Sequence, residues 1–118
     1  MSDAVTIYHN PRCSKSRETL ALLQSNGIEP QVVLYLETPP DADTLRTLLS
    51  QLGMSSARAL MRQKEELYRT LNLADTGLTE EALIQAMVEN PKLIERPVVV
   101  KRGQARIGRP PEQVLEIL

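Results

Sequence analysis

Apolar and polar positions change period along the chain and divide it into short elements. Val5-Thr6-Ile7-Tyr8 is a brief β-branched and aromatic stretch suited to a buried strand. His9-Asn10-Pro11 breaks it, and a helical pattern follows from about Ser14 to Asn26. Gly27 ends that helix, where a left-handed backbone suits a residue without a Cβ. Gln31 to Leu36 predicts a second strand, closed by Thr38-Pro39-Pro40. Leu45, Leu48, Leu49 and Leu52 then fall at i, i+3, i+4 and i+7, an amphipathic stripe with Asp41 or Asp43 as its cap and Gly53 as its stop. Ser55 to Tyr68 reads as one or two short helices crowded with charge. Thr79 caps another helix, with Glu80 and Glu81 in its first turn and Asn90-Pro91 at its end. Val98-Val99-Val100 is a strand, Gly103 a hairpin turn and Ala105-Arg106-Ile107 the return strand. A final short helix opens at Pro110-Pro111-Glu112 and carries Val114, Leu115 and Leu118 inward.

The order is βαβ, a helical insert at about 41–90, then ββα, within a single domain spanning 1–118. That order predicts an α/β fold of the thioredoxin-like kind, a four-stranded mixed sheet. A chain of 118 residues with 42% hydrophobic positions can bury about two-thirds of its surface, enough for a core without metal or disulfide staples.

Charge and composition narrow the function. Fourteen Lys and Arg against fifteen Asp and Glu leave a formal charge of −1, so the basic excess of a nucleic-acid binder is missing. The chain has no Phe and no Trp, which argues against base-stacking platforms. The longest apolar run, Val32 to Leu36, is far too short to span a membrane. Met1-Ser2-Asp3-Ala4 lacks the layout of a signal peptide. One cysteine cannot form an internal disulfide, so a reduced, cytoplasmic setting is expected.

That cysteine, Cys13, sits at the predicted strand-to-helix turn in His9-Asn10-Pro11-Arg12-Cys13-Ser14-Lys15-Ser16-Arg17. A lone cysteine is ordinarily a small buried hydrophobe. Here the flanking residues are polar and cationic, and free amides at a helix start favour negative charge, so the pattern points to a reactive thiolate. Amide donors, arginine and two serines also form a cradle suited to a tetrahedral oxyanion. Ser16 stands where a dithiol oxidoreductase carries its second cysteine, so any reducing thiol must come from outside the chain. His9 either joins the thiolate's hydrogen-bond network or caps the strand end. One His and one Cys cannot complete a tetrahedral metal shell, so no metal is expected. Arg62, Arg96 and Arg109 recur in polar connections, and arginine forks suit oxyanions. In a thioredoxin-like fold Pro97, after Arg96, would be cis and would face the thiol.

His9-Asn10-Pro11-x-Cys13-x-x-Ser16-Arg17 after a first strand, then Arg62, then Arg96-Pro97-Val98-Val99-Val100, then Arg109-Pro110, resembles the arsenate reductase (ArsC) family of the glutathione/glutaredoxin-dependent type. The likeness runs from about Thr6 to the C-terminus and is strongest to the short, YfgD-type members. Leu34-Tyr35-Leu36-Glu37 and Leu78-Thr79-Glu80-Glu81-Ala82-Leu83 match the family's style as well. The resemblance implies a thiolate that attacks arsenate, with glutathione as co-substrate, glutaredoxin as partner and no bound cofactor. It implies Cys13 as nucleophile, His9 as its assistant, Arg62, Arg96 and Arg109 as oxyanion clamp, and Ser16 and Arg17 in the cradle. Plasmid-type members have Gly-Thr where this chain has Ser14-Lys15, and a small residue where it has Arg12, which adds charge and bulk at the anion site. Two alternatives stay open. One is a non-catalytic regulator like the Spx group, which binds RNA polymerase. The other is a thiol protein that acts on another small oxidant or forms only a mixed disulfide with glutathione.

Overall fold

The computed structural model describes residues 4–118; the three positions before them, part of the stretch read above as lacking a signal-peptide layout, lie outside the described residues. Four strands, β1 (Val5–Tyr8), β2 (Gln31–Val33), β3 (Val98–Lys101) and β4 (Gln104–Ile107), form one sheet in the order β2-β1-β3-β4. β1 and β2 run parallel, with Thr6 opposite Gln31 and Tyr8 opposite Val33. β3 is antiparallel to both β1 and β4, with Val5 opposite Lys101 and Val98 opposite Ile107. The parallel pair requires a crossover, which α1 (Ser14–Ser25) supplies. This is the thioredoxin-like mixed sheet.

Contacts divide the chain into two compact units, one holding residues up to Thr38 together with Arg96–Leu118, the other Pro39–Glu95. In the first unit, Val5, Ile7 and Val99 share one sheet face with Leu23 of α1 and with Val114 and Ile117. Gly27 follows α1 at φ +77°, the left-handed turn foreseen from its position.

Two details differ from the sequence reading. β2 stops at Val33 and does not extend to Leu36. It is an edge strand paired with β1 alone, and β1 ends opposite it at Tyr8. Beyond that pair the Leu34 carbonyl accepts the amides of Glu37 and Thr38, which closes a turn, and only Tyr35 of the remaining apolar run is fully buried. The final helix is a 3-10 helix, Pro111–Ile117, whose buried residues Pro111, Val114 and Ile117 recur every third position. That tighter period leaves Leu115, expected inward, 42% exposed.

The second unit is helical: α2 (Ala42–Leu52), a 3-10 turn at Ala57–Leu60, α3 (Glu66–Thr70), α4 (Glu80–Glu89) and a second 3-10 turn at Pro91–Leu93. Asp41, not Asp43, caps α2 by accepting from the Thr44 amide at 2.8 Å. Leu45, Leu48 and Leu49 are buried as their spacing predicts, whereas Leu52 at the end of the stripe is only partly covered. Thr79 caps α4 through the Ala82 amide at 3.1 Å. Glu80 then reaches back to cap the Ala57 turn, accepting from the Ala57 amide at 2.6 Å and the Ser56 hydroxyl at 2.9 Å. Met61, in the middle of the unit, bridges antiparallel to Ile94 near its end.

Candidate active site

The end of β1 and the start of α1 are joined by a five-residue turn, 9–13, that must hold Cys13 in place. Asn10 organises it: its carbonyl accepts the Cys13 amide at 3.0 Å and its side-chain oxygen the Arg12 amide at 3.0 Å. His9 donates its amide to Val33 at 2.9 Å, so the turn is anchored to the edge strand. Cys13 itself occupies the N-cap of α1, with extended backbone (φ −100°, ψ 124°), and no side-chain capping hydrogen bond forms from its sulfur in this geometry. The first turn of α1 holds no acidic residue to oppose a negative charge there.

Cys13 is buried, at 8% exposure, yet its surroundings are polar. Burial pushes the thiol's pKa up. The Ser16 amide, the Arg96 guanidinium and the Lys15 amide pull it down and prevail, so the thiol ionises below its ordinary value. Arg109 approaches the same sulfur, its Nη1 lying 4.0 Å away, and that nitrogen also donates to the Arg96 carbonyl at 3.3 Å. The peptide bonds Arg96-Pro97 and Arg109-Pro110 are both cis. The first was expected; the second was not, although each pairs a site arginine with a proline.

Ser16 is fully buried and its hydroxyl is already engaged, with His9 Nδ1 at 2.6 Å and the Asn10 amide at 3.0 Å. Its hydroxyl is thus committed to the turn, and the part of Ser16 that favours the Cys13 thiolate is its backbone amide. His9 meets Ser16 rather than the sulfur, so it braces the turn that carries the thiol. Burial, then the charge of Arg17, hold the His9 pKa below its usual value. Arg17 donates from Nη1 to the Pro11 carbonyl at 2.9 Å, which ties the helix back onto the turn. Arg62 lies in the Pro39–Glu95 unit, where it pairs with Glu65 at 3.4 Å and donates to the Lys92 carbonyl at 3.4 Å.

Two residues that sequence reading passed over complete the setting. Thr19 is fully buried, donates to the Lys15 carbonyl at 2.8 Å and lies 3.5 Å from the Gly108 carbonyl. A Cβ on Gly108 would collide with the Thr19 oxygen and stand 2.9 Å from Pro97 Cγ, so only glycine allows this approach. The signal for Thr19 was present: Ser16, Thr19 and Leu23 follow helical spacing, with hydroxyls where a core stripe would carry leucine.

Among the described residues, no group of three His, Cys, Asp or Glu side chains could hold a metal ion. No helix among them is long and apolar enough to cross a membrane. A pocket of about 530 Å³ between Gln63 and Ala74 is lined by Glu65, the partner of Arg62, but by none of the candidate site residues themselves.

A nucleophilic sulfur beside two guanidiniums and a row of helix amides suits attack on an oxyanion. Comparison with known proteins agrees. The chain is 75% identical over 118 residues to the uncharacterized protein YfgD of Escherichia coli K12, covering 100% of this chain and 99% of that one. It is 50% identical to a protein named arsenate reductase from Haemophilus influenzae, covering 98% of this chain and 99% of that one. The solved structure of an arsenate reductase from Vibrio cholerae superposes with a TM-score of 0.97 at 64% identity, with 100% of both chains covered. The model of the ArsC family matches residues 8–117, and the chain belongs to that family.

Proposed function

We propose that this chain is an arsenate reductase whose single cysteine, Cys13, is the nucleophile and whose reducing equivalents come from glutathione and glutaredoxin. The observation that carries this reading is the thiol: a sulfur whose ionised form is favoured by the Ser16 amide and Arg96, with Arg109 4.0 Å away. Such a site offers a tetrahedral oxyanion both a nucleophile and positive donors for its oxygens. The names of relatives at 50% identity point to the same substrate.

The chemistry balances as follows. The Cys13 sulfur bonds to arsenic and one arsenate oxygen leaves as water, with arsenic still pentavalent. Glutathione sulfur replaces a second oxygen, again lost as water. The glutaredoxin thiolate attacks the glutathione sulfur, forming a disulfide and leaving an electron pair on arsenic, now trivalent. Water then cleaves the sulfur–arsenic bond, releasing arsenite and restoring Cys13. In sum, two external thiols become one disulfide, arsenic gains two electrons, and one net water forms. The chain has no second cysteine to replace those thiols.

In this reading Arg96 and Arg109 bind the oxyanion, His9, Ser16 and Arg17 hold the turn, and a reducing, cytoplasmic setting supplies the thiols. Arg62 keeps the oxyanion role that the family resemblance implies, so Arg62→Ala should raise the arsenate concentration needed for half-maximal turnover. A Cys-x-x-Cys redox switch of the Spx kind is disfavoured, because position 16 is a serine whose hydroxyl is already bound to His9 and Asn10. The test is arsenite formation from arsenate with glutathione and glutaredoxin supplied together and singly. Arsenite should form at an appreciable rate only with both; formation at the same rate with glutathione alone would remove glutaredoxin from the cycle.

A further inference from the structure

Outside the carboxyl ends of β1 and β2, where open α/β sheets commonly bind ligands, lies a pocket of about 250 Å³. One wall is the turn that precedes the nucleophile, His9 to Arg12; the other is Leu34, Leu36 and Glu37. We infer that this pocket is the docking site of a small zwitterionic peptide thiol, with Arg12 receiving a carboxylate and Glu37 an ammonium group. The inference rests on the reductase reading above for the thiol's purpose, and it identifies where that thiol is held.

Three observations support it. Arg12 and Glu37 are exposed side chains of opposite charge on one pocket, yet among the described residues neither forms an ion pair, with the other or with any third group. A ligand bearing both charges would satisfy both. Leu36 is 41% exposed, an apolar surface suited to the methylenes of such a peptide. The turn wall is braced before any ligand arrives, because Asn10 Oδ1 holds the Arg12 amide and the Pro11 carbonyl holds Arg17. One wall of the pocket is the turn that leads directly into Cys13, the residue that would carry the adduct. Arg12 then has a use that anion binding at the cysteine does not require.

The probe is S-methylglutathione, which carries the charges of glutathione but no free thiol and so cannot react. It is titrated into the full chain while backbone amide resonances are followed. Binding should shift the signals of residues 9–12 and 34–37, and Glu37→Gln and Arg12→Gln should each weaken it about two- to five-fold, as expected for exposed charge pairs. In turnover, Glu37→Gln should raise the glutathione concentration for half-maximal rate more than that of arsenate. Shifts confined to other parts of the chain, absence of binding, or unchanged affinity in both variants would overturn the assignment. Because the probe is inert, its binding stands or falls separately from arsenate reduction.

Discussion

Arg109 approaches the Cys13 sulfur to 4.0 Å across 96 positions of sequence, and the nitrogen that does so is bonded to the backbone of Arg96. The two arginines are thus not independent charges near a thiol. The carbonyl of one locates the guanidinium of the other, and the guanidinium of the first favours the thiolate.

Arg96→Ala removes the cation whose charge favours the thiolate, so the Cys13 pKa should rise. The pH dependence of alkylation by iodoacetamide reports it directly. The midpoint should move to higher pH in the variant, and an unmoved midpoint would take Arg96 out of the thiol's environment.

Ser16→Ala leaves the Ser16 amide in place but deprives His9 Nδ1 and the Asn10 amide of a buried partner. The expected cost is about 1–3 kcal/mol of stability. Chemical denaturation should show this loss, while the thiol's alkylation midpoint stays near that of the parent chain. A variant as stable as the parent would mean the hydroxyl does not brace the turn.

Gly108→Ala drives a methyl group into Thr19 and Pro97. Overpacking of this kind costs about 1–3 kcal/mol. Because Arg109 is the next residue, reactivity should suffer as well. A lower melting temperature together with slower thiol alkylation is expected; a fall in melting temperature alone would separate the packing of Gly108 from the placement of Arg109.

His9 and Cys13 both tie stability to pH in the same direction. His9 titrates below its usual value of 6.5 in the folded chain, so the unfolded chain binds the extra proton first as pH falls below 6.5. Stability drops across that window, down to the folded pKa. The Cys13 pKa is lowered despite burial, by the Ser16 amide and Arg96. Its contribution is complete above the unfolded thiol pKa and is lost as pH falls through the folded one. Denaturation midpoints should therefore rise with pH, first below 6.5 and again towards the thiol's ordinary value of 9.0, and Cys13→Ser should lose only the upper part of that rise. A flat profile would contradict both shifts.

The strand, turn and helix around Cys13 were legible because their signals are local: a β-branched run, a proline and then helical spacing. Gly53 and Thr79 announced their helix ends for the same reason, while Asp41 was one of two caps left open. Leu34 to Leu36 misled because an apolar run does not reveal that its only neighbouring strand stops at Tyr8. The last helix misled at Leu115 because, over seven residues, periods of three and 3.6 leave similar patterns. Ser16 read as part of the cradle and Thr19 was passed over, because their partners are set by the tertiary fold, at His9 and near Gly108. The arginines were recognisable by motif, whereas the contact of Arg109 with the Arg96 backbone needed the fold.

The most direct measurement is arsenate-dependent NADPH oxidation, coupled through glutathione, glutaredoxin and glutathione reductase, with the parent chain and Cys13→Ser side by side. Turnover by the parent chain that disappears in the variant is the predicted result. Turnover that survives in the variant, or a parent chain that consumes no NADPH with arsenate although Cys13 alkylates rapidly at neutral pH, would contradict it.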